Sequence, residues 1–300
     1  MTGTIRLTRT ALITTFLLVA IGGFTRGSGS GYGCLDRWPL CENGLLNGLL
    51  PRGDYHMIVE WMHRWVAAIV GLLILSTAIS VWKNFRNNKT ALRLSIAAVF
   101  TVIVQAMIGR SVVKTDLDSD LVALHLAISM VVIALLTIIY VLISSKKNMK
   151  PLPVETKSWS RLLGLAAIAS YILLLLGAYV HNRYFSGWPL VNNRLIPDLS
   201  NQYTFVHYLH RIAAAIGAVY ILYLVSSSKK RNRPSNERKL LIFAAVSYGV
   251  NVLLGAVHVF TEVSSSGVVT AHLLGATSVW VFLVAATTMA RFSVPESTNS

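Results

Sequence analysis

The chain has 300 residues, of which 54% are hydrophobic and 13% are charged, and it carries a net charge of +15. Soluble domains have about a quarter charged residues, so this composition is typical of an integral membrane protein. The positive charge does not indicate nucleic-acid binding, because the basic residues lie in short segments between long apolar runs and form no basic face of a soluble fold.

Eight stretches are apolar enough to cross a hydrocarbon core, which needs about 20 residues per helix. In chain order they are 10–26, 57–82, 91–110, 121–144, 160–181, 204–226, 239–259 and 268–291. The first follows Arg6 and Arg9 as a signal peptide would, but no small-residue cleavage site is evident before Gly22, so we interpret it as a helix. The predicted fold class is an all-α integral membrane protein.

The distribution of charge predicts how this protein lies in the membrane. Most Lys and Arg residues fall at the N-terminus, in the even-to-odd helix connections and at Arg291, whereas most acidic residues fall on the opposite side. Basic residues favour the cytoplasmic side, so both termini are expected in the cytoplasm of a multi-pass plasma-membrane protein. Cys34 and Cys41 then lie in an extracytoplasmic loop, where a disulfide can persist.

The two halves of the sequence resemble each other. WMHRWVAAI (61–69) aligns with YLHRIAAAI (208–216), and Trp38-Pro39-Leu40 aligns with Trp188-Pro189-Leu190. Each half has four helices, an even number, so both enter the membrane in the same orientation. We therefore expect two parallel four-helix bundles related by a pseudo-twofold axis along the membrane normal. The halves are 1–144 and 160–300, and 145–159 is the cytoplasmic linker.

Four of the eight histidines lie near the outer ends of the even-numbered helices. They are His63, His125, His210 and His272. Ionisable residues at such a depth are costly and usually mark function, and two imidazoles from two helices can ligate haem iron axially. The repeat predicts two pockets, one with His63 and His125 and the other with His210 and His272. The alternatives are interhelical hydrogen bonds and zinc, which needs three or four converging ligands.

Glu60 is the main difference between the two halves. It precedes His63 by three residues and therefore shares its helix face, whereas the second half has His207 at the corresponding position. A carboxylate there can remove a proton from a reacting haem substituent or activate water. Its alternative role is a salt bridge with Arg64 or Arg52. The first half is thus the predicted site of chemistry, and the second half is predicted to hold a resident redox cofactor.

The glycine-rich segment 27–41 carries both cysteines and is predicted to form a lid over the first pocket. A disulfide would clamp this lid, and the sequence leaves open whether the cysteine pair is structural or redox-active. The second half has Val191 in place of Cys41 and contains no cysteine, so only the first lid can be clamped.

Several further polar residues have less specific interpretations. Arg64 and Arg211 each follow a ligand histidine and can pair with haem propionates or extend to lipid headgroups. Two amides, Gln105 and Asn251, are expected to serve in helix packing. Three other histidines are expected at the outer membrane edge, namely His56, His181 and His258.

These motifs, taken together, resemble the haem A synthase family of the bacterial type with eight transmembrane helices. The resemblance rests on Gly22-Gly23-Phe24-Thr25-Arg26, on the loop from Gly29 through Cys34-Leu35-Asp36-Arg37-Trp38-Pro39-Leu40-Cys41, and on Glu60-Trp61-Met62-His63-Arg64. His125, His210-Arg211 and His272 complete the pattern, which covers essentially the whole chain. The sequence departs from some members in lacking a cysteine pair in the second-half loop.

The resemblance implies a specific reaction and a specific use of each pocket. Haem O would bind at His63 and His125, and its C8 methyl group would be oxidised to a formyl group, giving haem A for terminal oxidases, with Glu60 catalytic. Haem b would be the cofactor, with His210 and His272 as its axial ligands. Expected partners are haem O synthase, terminal oxidase assembly and an electron acceptor such as a quinone.

Two other functions fit the same histidine pattern. A di-haem transmembrane electron carrier would need equivalent pockets, and a haem transporter or chaperone would have no need of Glu60. The sequence leaves open the electron acceptor, the source of the inserted oxygen and the oligomeric state.

Overall fold

A computed structural model of the chain describes residues 2–42, 49, 53–144, 154–180, 185–262 and 264–292. The described part contains eight long helices, each apolar enough to span a membrane, and no β-strand beyond one isolated bridge. The helices are α1 (Thr2–Gly27), α2 (Tyr55–Phe85), α3 (Lys89–Lys114), α4 (Ser119–Ser144), α5 (Val154–Val180), α6 (Gln202–Lys230), α7 (Ser235–Phe260) and α8 (Ser266–Phe292). The predicted fold class is confirmed, and the protein is a multi-pass membrane protein.

All eight helices begin before the predicted apolar stretches and most end after them, because hydropathy detects only the part that suits hydrocarbon; α4 ends at the predicted Ser144 and α5 at Val180. Polar caps mark where several of them begin. Asp54 accepts a hydrogen bond from the backbone N–H of Met57 at the start of α2, and Asn201 accepts bonds from the first turn of α6. Such side chains satisfy N–H groups that have no partner within the helix.

Neighbouring helices form a ring of the same order in each half. In the first half α1 packs on α2 and α4, and α3 packs on the same two helices; in the second half α5 and α7 both pack on α6 and α8. Consequently α2 faces α4 across the first ring, and α6 faces α8 across the second. The pseudo-twofold axis stays a prediction. Residues 145–153 of the expected linker lie outside the described residues, and α5 begins at Val154.

The two rings join through α1, α4, α5 and α8. At this interface the Tyr171 ring of α5 packs against the Trp280 ring of α8, with centroids 5.2 Å apart. Trp280 Nε1 donates a hydrogen bond to the carbonyl of Met130 in α4, and Tyr171 donates one to the carbonyl of Ala127. Interhelical bonds of this kind help to hold helices together where no hydrophobic force drives them, so α4 is bonded to both α5 and α8 of the other half.

Candidate functional site

A single cavity of about 1410 Å³ contains the predicted site residues of both halves. It lies towards the end of the bundle where the even-numbered helices begin, which we call the disulfide end because the Cys34 loop covers it. All four predicted ligand histidines and Glu60 line it, and most of the other lining side chains are apolar. The structure therefore brings the predicted residues together in one cavity.

Each ligand histidine packs edge-on against a glycine of the preceding helix. A Cβ atom on Gly22, Gly109, Gly177 or Gly255 would lie 3.1, 2.9, 3.0 or 3.2 Å from Cε1 of His63, His125, His210 or His272, respectively. Contacts this short are rare for a real Cβ, so only glycine lets the helices approach without moving the imidazole. These four glycine–histidine contacts give each pocket the same construction.

The two pockets differ in the hydrogen bonds of the histidine Nδ1 atoms. His210 Nδ1 lies 3.1 Å from the carbonyl of Leu173, and His272 Nδ1 lies 3.1 Å from the carbonyl of Asn251. Carbonyls only accept, so Nδ1 carries the proton and Nε2 keeps a free lone pair for a metal. Among the described residues, Nδ1 of His63 and of His125 is buried without a hydrogen-bond partner.

Glu60 is buried beside the first pocket, with 3% of its surface exposed. One carboxylate oxygen accepts a hydrogen bond of 2.7 Å from the backbone N–H of Cys34, and the other forms an ion pair of 2.5 Å with Arg64. The salt bridge considered from the sequence is thus present. It does not exclude a chemical role, since Glu60 also lines the cavity. Arg52 lies outside the described residues.

The corresponding position in the second half has a hydrogen bond between Arg211 and a histidine in place of the ion pair. Arg211 Nε donates to His207 Nε2 at 2.8 Å, which places the His207 proton on Nδ1. The His207 ring stacks on Phe185 with a centroid distance of 4.2 Å. No carboxylate occupies this position, so the second pocket lacks the buried acidic side chain that the first one has.

Both arginines also bind the loop that covers their own pocket. Arg64 donates to the carbonyls of Arg37 and Pro39 at 2.7 and 3.2 Å, and Arg211 donates to the carbonyls of Gly187 and Leu190. The structure thus gives the arginines a loop-binding role that the sequence did not indicate. Trp38-Pro39 and Trp188-Pro189 are both cis.

A disulfide joins Cys34 and Cys41, as predicted, and both residues are almost completely buried. Lys114 of α3 forms a salt bridge of 3.2 Å with Asp36 in the same loop. The Asp116 carboxylate lies close to the Tyr32 hydroxyl and raises the pKa of that phenol through hydrogen bonding and its negative charge. The loop is thus attached to α2, to α3 and to the α3–α4 connection, and its Cys34 N–H reaches Glu60.

The remaining polar predictions have mixed outcomes. Gln105 bonds the carbonyl of His125 and Ser129, which is the expected helix-packing contact. His56 is exposed and bonds Ser30, as an edge residue would. His258 lies in the last turn of α7, near the predicted edge, but its ring lines the cavity parallel to that of His272. His181 lies outside the described residues.

Two features of the site were missed in the sequence. The four glycines that contact histidines are a signal that could have been found, since each stands in the helix directly before its ligand. The Nδ1 hydrogen bonds use backbone carbonyls, which carry no residue signature. Sequence patterns indicate the candidate ligands, whereas the contacts that orient these histidines depend on how the helices pack.

The donor set and the shape of the cavity fit haem. Each ring presents two histidines from facing helices at matching depth, because His63 and His210 are each the ninth residue of their helix and His125 and His272 each the seventh. Glycine contacts leave room for a flat group beside the imidazoles, and apolar walls suit a porphyrin. Within the described ranges no three His, Cys, Asp or Glu residues converge as ligands for a bare metal ion.

Comparison with known proteins identifies the family. Residues 50–284 match the family model described as cytochrome oxidase assembly protein. The chain is 30% identical to a haem A synthase of Symbiobacterium thermophilum, with 86% of this chain and 88% of that protein aligned. It is 31% identical to one from Shouchella clausii (79% and 83% aligned) and 29% identical to one from Listeria monocytogenes (81% and 81% aligned). The chain therefore belongs to the haem A synthase family of cytochrome oxidase assembly proteins.

Proposed function

We propose that this protein is a haem A synthase, an oxidoreductase that converts the C8 methyl group of haem O to a formyl group. The observation that carries the proposal is the buried Glu60 carboxylate, which lies one helical turn from His63 in the wall of the shared cavity. Family membership supports the same reaction. An electron carrier or a haem transporter explains neither this carboxylate nor its replacement by His207 in the second half.

The second pocket is proposed to hold a resident haem b on His210 and His272. The Nδ1 hydrogen bonds to the carbonyls of Leu173 and Asn251 support this assignment. A hydrogen bond from the distal ring nitrogen of a ligand histidine fixes its tautomer and orientation and makes it a better ligand. A permanent cofactor benefits from such pre-orientation. The bound haem b supplies one-electron redox chemistry.

The first pocket is proposed to bind the substrate haem O through His63 and His125. Neither imidazole is oriented through Nδ1, so these ligands are expected to hold their haem less tightly than the second pair. Weaker binding suits a pocket that must take up substrate and release product on every turnover. Tight binding of both the substrate haem O and the product haem A would slow that exchange.

Glu60 is proposed to accept the proton that the reacting substituent or an attacking water must lose. The Cys34 N–H and the Arg64 guanidinium each bind one oxygen of the carboxylate and so fix its orientation. The disulfide loop contacts it through the Cys34 N–H, and only 3% of the Glu60 surface is exposed. The chain thus positions the base and screens it, while Arg64 connects it to the loop.

The site is proposed to face the extracytoplasmic side, with both termini in the cytoplasm. The basic connections at the opposite end of the bundle support this orientation. Haem O synthase, a terminal oxidase assembly pathway and a quinone-type electron acceptor are proposed partners, because the reaction requires a source of haem O, a user of haem A and a sink for electrons.

Co-expression with a source of haem O, in a host that makes no haem A, tests the function. Haems extracted from the membranes are identified by mass. We expect haem A with the parent protein, and haem O without haem A with Glu60→Gln. Absence of haem A from cells that contain folded parent protein and haem O would overturn the proposal.

A further inference from the structure

The first-half part of the cavity continues between α2 and α3 to the surface of the bundle. Gly71, Leu72 and Leu75 of α2 and Val102 and Ile103 of α3 line this extension, which we call the lateral slot. Leu72 and Ile103 are 65% and 55% exposed, so they lie at the lipid-facing surface as well. A Cβ on Gly71 would meet no atom within 4 Å. The slot is thus apolar, continuous with the pocket and open sideways to the membrane.

The slot reaches deeper into the membrane than the second pocket does. Leu75 lies twelve residues after His63, which corresponds to about 18 Å along α2. In the second half, which is described throughout α6, the lining of that helix ends at Ala218, eight residues after His210 and about 12 Å along the helix. The two pockets therefore differ in depth by more than one helical turn.

Tyr248 of α7 closes the space in the second half that corresponds to the slot. It is 8% exposed, and its hydroxyl donates a hydrogen bond of 2.7 Å to the carbonyl of Ala214 in α6. The hydroxyl also packs against Gly217 so closely that a Cβ there would contact it. Tyr248 precedes Gly255 by seven residues, and the residue that precedes Gly109 by seven is Val102. A bridging tyrosine in one half thus corresponds to a small side chain in the other.

We infer that the lateral slot receives the isoprenoid chain of the substrate haem, and that Tyr248 excludes such a chain from the second pocket. The inference rests on the proposed function, since haem O differs from haem b by a long apolar hydroxyfarnesylethyl chain in place of one vinyl group. A chain of this kind needs an apolar channel beside the porphyrin, which the first half provides and the second half lacks. The pair of pockets would thereby sort the two haems before any chemistry occurs.

The slot offers selectivity through packing, because an isoprenoid chain in the bilayer is already out of water. A chain seated in the slot makes many contacts with apolar side chains, which are individually small and collectively large. Even one methylene changes discrimination by about tenfold or more in an apolar pocket. A side chain that fills the slot should therefore weaken binding of the tailed haem while leaving the tail-free haem nearly unaffected.

The test uses the full-length protein in detergent or nanodiscs, with haem O and haem b as probes. Gly71→Leu fills the slot, and Gly249→Leu is the matched control, because Gly249 also has no atom near its Cβ but lies outside the cavity lining. We expect Gly71→Leu to lower the ratio of haem O to haem b affinity at the first pocket by about tenfold or more, and Gly249→Leu to leave it unchanged. An unchanged ratio in Gly71→Leu would overturn the inference.

Tyr248→Ala provides the reverse measurement in the second pocket. We expect this variant to copurify with haem O in addition to haem b when His63→Ala removes a ligand of the first pocket, whereas His63→Ala alone keeps haem b only. Retention of haem b alone in both would contradict the role of Tyr248. These readouts are separate from catalysis. If the parent protein prefers haem O and Gly71→Leu abolishes that preference, but no haem A forms, the proposed function is wrong and the slot inference stands. If haem A forms and Gly71→Leu has no effect on the affinity ratio, the function stands and the slot inference is wrong.

Discussion

The first and second pockets share the contacts that hold their histidines and differ in the groups around them. Both place each imidazole against a glycine, and both cover the histidines with a loop bound by an arginine. The first adds a buried carboxylate and a disulfide. The second adds Nδ1 hydrogen bonds and the Tyr248 closure. One architecture can thus serve an exchangeable substrate in one half and a permanent cofactor in the other, because the differences lie outside the ligands.

The largest expected effect concerns the carboxylate that only the first pocket has. Glu60→Gln keeps the size of the side chain but removes the base, so haem A formation should fall by about 10²- to 10⁴-fold, with haem content unchanged. The rate of haem A formation, followed by mass, checks this. Glu262→Gln, a change in the α7–α8 connection, serves as the control. Near-normal turnover in Glu60→Gln would exclude the base role.

The glycine–histidine contacts can be broken one half at a time. Gly177→Ala places a Cβ about 3.0 Å from Cε1 of His210 and should displace that ligand, lowering haem b affinity by about tenfold to a hundredfold. Gly109→Ala should have the same effect on the first pocket only. The haem-to-protein ratio and the absorption spectrum of each variant report this. Full occupancy of both pockets in both variants would show that the contacts do not position the ligands.

The Nδ1 hydrogen bonds predict a difference in haem release within the parent protein. Haem in the first pocket should dissociate about tenfold faster than haem in the second, because His63 and His125 are not oriented through Nδ1. Mixing the loaded protein with an excess of a haem-scavenging protein gives two phases if this is correct. Equal release rates from the two pockets would argue against a resident cofactor in the second half.

The smallest expected effect comes from opening the lid that only the first half can clamp. The double variant Cys34→Ser, Cys41→Ser keeps the Cys34 backbone N–H but frees the loop that carries it, so turnover should fall several-fold while haem b content stays constant. Measurement of haem A formation under oxidising and reducing conditions separates a structural role of the cysteine pair from a redox role. Activity of the double variant equal to that of the parent would exclude both the structural and the redox role.

Much of this comparison could be predicted from the sequence. Hydropathy indicated all eight helices, and the aligned halves indicated His63, His125, His210 and His272 as a set. The Glu60 and His207 difference was visible for the same reason. Residues with a periodic or repeated signature are recognisable because their spacing encodes their position.

The remaining features depend on packing between helices. The backbone carbonyls of Leu173 and Asn251 accept hydrogen bonds from histidines because the packing of α5 on α6 and of α7 on α8 places them level with the Nδ1 atoms. The sequence does not distinguish Tyr248 from the other aromatic residues, because its role depends on the hydrogen bond from its hydroxyl to the carbonyl of Ala214. His258 was placed at the membrane edge from its position near a helix end, yet it turns inward to stack on His272.

The central claim is that the pockets hold different haems, and the identity of the haem lost from each ligand variant tests it most directly. The parent, His63→Ala and His210→Ala are purified after co-expression with a haem O source, and their haems are extracted and weighed by mass spectrometry. We predict that His63→Ala keeps haem b and loses haem O and haem A, whereas His210→Ala loses haem b. Loss of the same haem from both variants would contradict the account.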